Sequence, residues 1–121
     1  MKGIVVTSDN QIEVKDFEAP LHRTVGDVVG GYIEIVHPVG LAEPLVMIVN
    51  EEGLILELPM NTIGSLLYGT HIHGAPIVGN LVIMKTGWTD DGPDIVGLDD
   101  QEVEELTASL KAFCMVPGDS R

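Results

Sequence analysis

The chain is 121 residues long, with 45% hydrophobic residues, only 4% aromatic, and 19 acids against 6 Lys and Arg, a formal net charge of -13. One compact domain fits that length, and a mean hydropathy of +0.26 in so acidic a chain means that the apolar residues are concentrated, some of them at an expected subunit interface. The charge repels nucleic-acid phosphates and anionic membranes, and the aliphatic content argues against disorder.

The single cysteine, Cys114, rules out an internal disulfide, so a cytoplasmic protein is expected. The first apolar run, Ile4-Val5-Val6, gives way at once to Thr7-Ser8-Asp9-Asn10, too short a stretch for a signal peptide. Gly3 to Thr7 and Gln11 to Val14 then read as a hairpin of short strands. Leu21, Val25, Val28 and Val29 share one face of a short helix, with Gly30 placed to cap it. Tyr32 to Val36 reads as a strand closed at Pro38, and Leu45 to Val49, apolar on both faces, as a central buried strand.

Asn50-Glu51-Glu52-Gly53 reads as a tight turn with Gly53 at positive φ, returning through a strand over Leu54 to Leu58. Asn61 is placed to cap a brief helix through Ile63, Leu66 and Leu67 that stops at Gly69. Ile77 to Met84 is another buried strand, with Gly79-Asn80 marking a bulge or a close backbone approach. At the C-terminal end, Asp99 and Glu102 have the spacing of a capping box, and Val103, Leu106, Leu110 and Phe113 form a helical stripe. The expected fold is α+β: a small sheet of four to six mostly antiparallel strands with two or three helices, the last packed on the sheet, in one domain over residues 1–121.

Charge is placed unevenly. No Lys or Arg lies between Thr24 and Met84, whereas Asp90, Asp91, Asp94, Asp99, Asp100, Glu102, Glu104 and Glu105 crowd near the C-terminal end. The acidic run reads either as a solvated surface or as a face that docks on a basic partner.

The motifs Val29-Gly30-Gly31-Tyr32-Ile33-Glu34, Asn50-Glu51-Glu52-Gly53, Leu58-Pro59-Met60-Asn61, Val78-Gly79-Asn80 and the run from Val96 to Val103 occur in this order. In that combination the chain resembles a family of small proteins from phages, plasmids and other mobile elements, catalogued as a domain of unknown function. It departs from the pattern at Thr62, where an arginine often follows the asparagine. The resemblance implies an accessory role in a mobile element and supplies no enzyme activity.

Several residues are candidates for binding. Gly30-Gly31 can form an anion nest or a simple helix-to-strand turn. Tyr32 and Glu34 share a strand face by the period-two rule, which would set a stacking ring beside a carboxylate. Asn50 and Glu51 stand at a sheet rim as hydrogen-bonding groups or as turn residues. Trp88 is an interface anchor, a core plug or a base-stacking lid. His71 and His73 would face one side if extended, but no zinc-site spacing accompanies them, so neither metal nor cofactor is expected. Cys114, near a helix C-terminus, is not expected to be nucleophilic.

Two functions follow. The first is a non-enzymatic homo-oligomer that captures a nucleotide-derived host defence signal in an inter-subunit pocket, with Arg23, Gly30, Gly31, Tyr32, Glu34, Asn50, Glu51, Asn61 and Trp88 as binding residues. The second is an acidic inhibitor that docks residues 90–105 on a host protein.

Overall fold

The computed structural model describes residues 1–114; the Phe113 and Cys114 side chains, which carry the end of the expected helix stripe and the lone thiol, lie outside the described residues. Strands β1 (Lys2–Val6) and β2 (Ile12–Asp16) form the expected hairpin, with Asn10 at φ 68 closing its turn. Helix α1 (Leu21–Val29) follows, then β3 (Ile33–Val36) and β4 (Leu45–Asn50). Two short helices, α2 (Thr62–Tyr68) and α3 (Thr70–His73), precede the β5 (Leu81–Thr89) and β6 (Gly92–Val96) hairpin, and α4 (Asp100–Cys114) packs back on the sheet. All pairings are antiparallel, in the order β2-β1-β5-β4-β3, while β6 pairs with the outer half of β5. The fold is therefore α+β.

Alternation along β5 builds two cores. Leu81 and Ile83 face α2 and α4 together with Ile4, Met47, Ile63 and Leu110, whereas Val82 and Met84 face α1 with Phe17, Val25 and Ile48. Strand β4 and the first half of β5, Leu81 to Met84, are thus buried on both faces, as their unbroken apolar runs require.

Three expectations are corrected. Leu54 to Leu58 is not a strand: Leu56 N–H donates to Glu52 O at 2.9 Å and Leu58 N–H to Gly53 O at 3.1 Å, winding the segment into helical turns. The physical reason is that β4 already has β3 on one edge and β5 on the other, so no edge is open to a returning strand. Gly53 does not take positive φ; it is buried where a Cβ would lie 2.8 Å from Val78. The segment from Ile77 to Met84 becomes strand only at Leu81, because Gly79 turns at φ 76 against Leu58, a close approach rather than a bulge.

The capping box forms reciprocally: Glu102 N–H donates to Asp99 Oδ1 at 2.7 Å and Asp99 N–H to Glu102 Oε1 at 2.9 Å. The Glu102 N–H holds the Asp99 carboxyl below the usual carboxylate range, against an opposing effect of desolvation. Its pKa is lower folded than unfolded, so the cap's contribution is complete above about pH 4 and is lost as pH falls below it. Asp99→Asn keeps an acceptor without a titrating proton. It is expected to leave stability at pH 7 nearly unchanged and to flatten the fall in thermal midpoint between pH 5 and pH 2 (roughly the range in which such carboxylates protonate).

On the same helix, the Thr107 hydroxyl is enclosed without a hydrogen-bond partner. Thr107→Val keeps the shape and removes the unpartnered group. Urea unfolding is expected to show a gain of about 1 kcal/mol.

Candidate functional site

Helix α1 lies across one face of the sheet and ends at Gly30, which adopts φ 87, a left-handed conformation that glycine takes without strain. The chain then reverses through Gly31 and Tyr32 into β3. Between this reversal, the outer side of α1 and the end of β4 lies an open hollow of about 540 Å³, lined by His22, Arg23, Gly26, Asp27, Gly30, Gly31, Tyr32, Ile33 and Glu51. Its size falls within the usual range for small-molecule sites.

Five of the nine expected binding residues meet here: Arg23, Gly30, Gly31, Tyr32 and Glu51. Tyr32 is 74% exposed, so one ring face is available for stacking. Among the described residues Arg23 has no ion-pair partner, which leaves its guanidinium available at the rim. The other four lining residues, His22, Gly26, Asp27 and Ile33, are not among the expected ones. The signal was present in helical periodicity, since Gly26 and Asp27 follow Arg23 at i+3 and i+4 and so share its face.

The anion nest does not form. Both the Gly30 and Gly31 N–H groups donate to Gly26 O, at 2.8 and 3.0 Å, as a helix cap. The carbonyl end of α1 also points this way, with negative partial charge. The cationic side of the hollow is therefore its His22–Arg23 end, away from the Gly30 carbonyls.

The other candidates lie elsewhere. β3 begins at Ile33, so Tyr32 is still in the turn and does not stand beside Glu34; Glu34 lines a second hollow of about 330 Å³ with Val36, Leu54, Tyr68 and Pro76. Glu51 borders both. Asn50 is buried, its Nδ2 donating to Val29 O at 3.0 Å while its Oδ1 accepts from Glu52 N–H at 2.7 Å. Asn61 is fully enclosed: Nδ2 donates to Val6 O and Gly79 O at 3.0 and 2.9 Å, and Oδ1 accepts from Gly64 N–H at 2.8 Å. Both amides hold backbone in place and line no part of the first hollow. Trp88 lies on β5, paired with Pro93 and 83% exposed, so it is no core plug, and it lines neither hollow.

His71 and His73 fall on the single turn of α3, which points them in different directions, and the His73 ring stacks on Tyr68 at 4.3 Å. Among the described residues no group of three or more His, Cys, Asp or Glu is placed to hold a metal ion.

The acidic run is divided by the fold. Asp90, Asp91 and Asp94 belong to the β5–β6 hairpin, whereas Asp100 pairs with Lys2, Glu102 with Lys85 at 2.6 Å, and Asp99 caps α4.

Residues 1–111 match the family described as Domain of unknown function (DUF3846). The chain belongs to that family. The DUF3846 match runs from β1 into α4 and includes every residue lining the two hollows. No curated protein and no solved structure matches the chain. No described helix is long and apolar enough to cross a membrane.

Proposed function

We propose that the protein is a non-enzymatic accessory protein of a phage, plasmid or other mobile element that captures a small nucleotide-derived host defence signal in the hollow beside α1. The observation that supports this reading is the convergence of an exposed aromatic ring, a guanidinium without an ion-pair partner among the described residues, and two carboxylates in one hollow of suitable size. Tyr32 stacks on a base, Arg23 with His22 meets the phosphate, and Asp27 and Glu51 accept hydrogen bonds from sugar hydroxyls. Arg23 against Asp27 and Glu51 leaves the lining one negative charge in excess, far less adverse than -13, so an anionic ligand depends on the guanidinium at the rim.

The mobile-element setting rests on the motif resemblance alone. A homo-oligomer completes the reading. Leu54, Ile55 and Leu56 are consecutive, apolar and more than half exposed, and Leu54 and Ile55 line the second hollow beside Glu51, which both hollows share, so a second copy seated on this patch would lie next to the first hollow.

Calorimetric titration with cyclic nucleotides and ADP-ribose is the test. Binding is expected, weakened at least about tenfold by Tyr32→Ala and by Arg23→Ala, both at exposed positions. No heat with any of these compounds rejects the reading. Native mass spectrometry should report a dimer or larger species, and a strictly monomeric protein would contradict the oligomer.

One observation favours the acidic protein-docking reading: Trp88 stands 83% exposed on the hairpin that carries Asp90, Asp91 and Asp94. In that case Trp88→Ala, rather than Tyr32→Ala, abolishes the biological effect.

A further inference from the structure

The first hollow does not end at Ile33. A neighbouring hollow of about 530 Å³ shares both His22 and Ile33 with it and continues across the same face of the sheet. Its floor is apolar, formed by Ile35, Ile48 and Ile95, with Asp91 and Asp94 at its rim. Ile35 and Ile48 are register partners on adjacent strands, so their side chains lie side by side on this face. The two compartments have nearly equal volumes, each large enough for a nucleoside, and they differ in chemistry. The first offers a ring to stack on; the second offers an aliphatic slot with carboxylates at its mouth. His22 stands where they meet, with Arg23 next to it along α1.

We propose that the ligand is a dinucleotide, with its linking phosphate at His22 and Arg23, one base on Tyr32 and the other in the slot over Ile35 and Ile48. This rests on the nucleotide-capture reading and specifies its ligand class. The charge distribution is the reason for the order of groups. The cationic side belongs at the junction, so the anionic part of the ligand belongs in its middle, and the two ends are uncharged rings. The carboxylates favour a base edge with adjacent N–H donors, as guanine has. Asp94 already accepts from Ile95 N–H at 2.7 Å through Oδ1, which fixes the carboxylate and leaves Oδ2 for the base.

Calorimetric titration with GMP, with linear GpG and with cyclic diguanylate tests this, using the native protein and the Ile35→Arg and Tyr32→Ala variants. Ile35 is 43% exposed, so the arginine can project from the surface without unfolding the sheet. One of the two dinucleotides is expected to bind at least about 100-fold more tightly than GMP, since the second base engages intramolecularly. Ile35→Arg should remove most of that advantage, and Tyr32→Ala should weaken the binding of GMP and of the dinucleotides. Equal affinities for GMP and the dinucleotides, unaffected by Ile35→Arg, would overturn the two-compartment ligand and leave the first hollow intact as a mononucleotide site. Absence of binding by all three, together with no response to the cyclic nucleotides and ADP-ribose, would overturn both.

Discussion

Replacing Asn61 by alanine is expected to cost about 4 kcal/mol and to lower the thermal midpoint by roughly 15 °C. The carboxamide is 0% exposed and serves three elements at once. Its oxygen caps α2 at Gly64, and its nitrogen ties the end of β1, at Val6 O, to the Gly79 turn that leads into β5. Truncation removes the cap, worth about 1 kcal/mol, and strands two buried carbonyls at about 1–3 kcal/mol each if no water enters. Asn61→Asp is a sharper probe. It keeps the acceptor for Gly64 N–H but turns both donor contacts into repulsion between oxygens, so it should be at least as damaging at pH 7. Protonating the carboxyl restores a donor. Its folded pKa should therefore lie above the unfolded value, and stability should recover as pH falls toward 4. Denaturant unfolding of the two variants across pH decides the matter. A loss below about 1 kcal/mol for Asn61→Ala would mean that the network is not as enclosed as the geometry indicates.

The second large effect is expected at Asn50, where stability and site geometry are coupled. Asn50 joins the last turn of α1, through Val29 O, to the turn after β4, through Glu52 N–H. Next to those bonds stand Gly30, Gly31 and Glu51, which line the first hollow, and the Asn50 amide also underlies Gly31, whose Cβ position would lie 3.2 Å from Nδ2. Asn50→Ala should cost about 2–3 kcal/mol from the lost pair of bonds and the exposed partners. It should also weaken the proposed nucleotide binding although Asn50 itself lines no part of that hollow, because the ordering of Glu51 against Gly30 and Gly31 is then left to the ligand. Calorimetry on the folded variant separates the two effects. Unaltered affinity would show that the walls are held by the sheet alone.

Much of the fold was legible because its signals are local. The i, i+4, i+7 pattern of Leu21, Val25 and Val28 gave α1, and Asn61 and the Asp99–Glu102 pair marked helix starts that the structure forms with their side chains. The misread elements depend on what lies beside them. Leu54 to Leu58 has a strand's composition, yet β3 and β5 occupy both edges of β4, so those residues coil at the surface. β6 was overlooked because it begins Gly92-Pro93, a pair that reads as a turn; an edge strand tolerates this proline where it pairs with Trp88.

The candidate site was legible in part. Arg23, Gly30, Gly31, Tyr32 and Glu51 converge. Asn50 and Asn61 were selected for the same polarity, but a polar residue just past a strand or before a helix can equally bond backbone, and burial decides between the two roles. No pattern in the sequence marks the adjoining slot, because Ile35, Ile48 and Ile95 come from three strands and meet only through the register.

The most direct measurement of the central claim is an amide chemical-shift titration of the full chain with GMP and a dinucleotide. The account predicts perturbations confined to Arg23, Gly26, Gly30, Gly31, Tyr32 and Glu51 for GMP, extending to Ile35, Asp94 and Ile95 for the dinucleotide, while Asn61 and the exposed side of α4 stay unmoved. Shifts clustered on α4 and around Trp88 instead, or no shifts at millimolar ligand (about the weakest affinity such a titration detects), would contradict it.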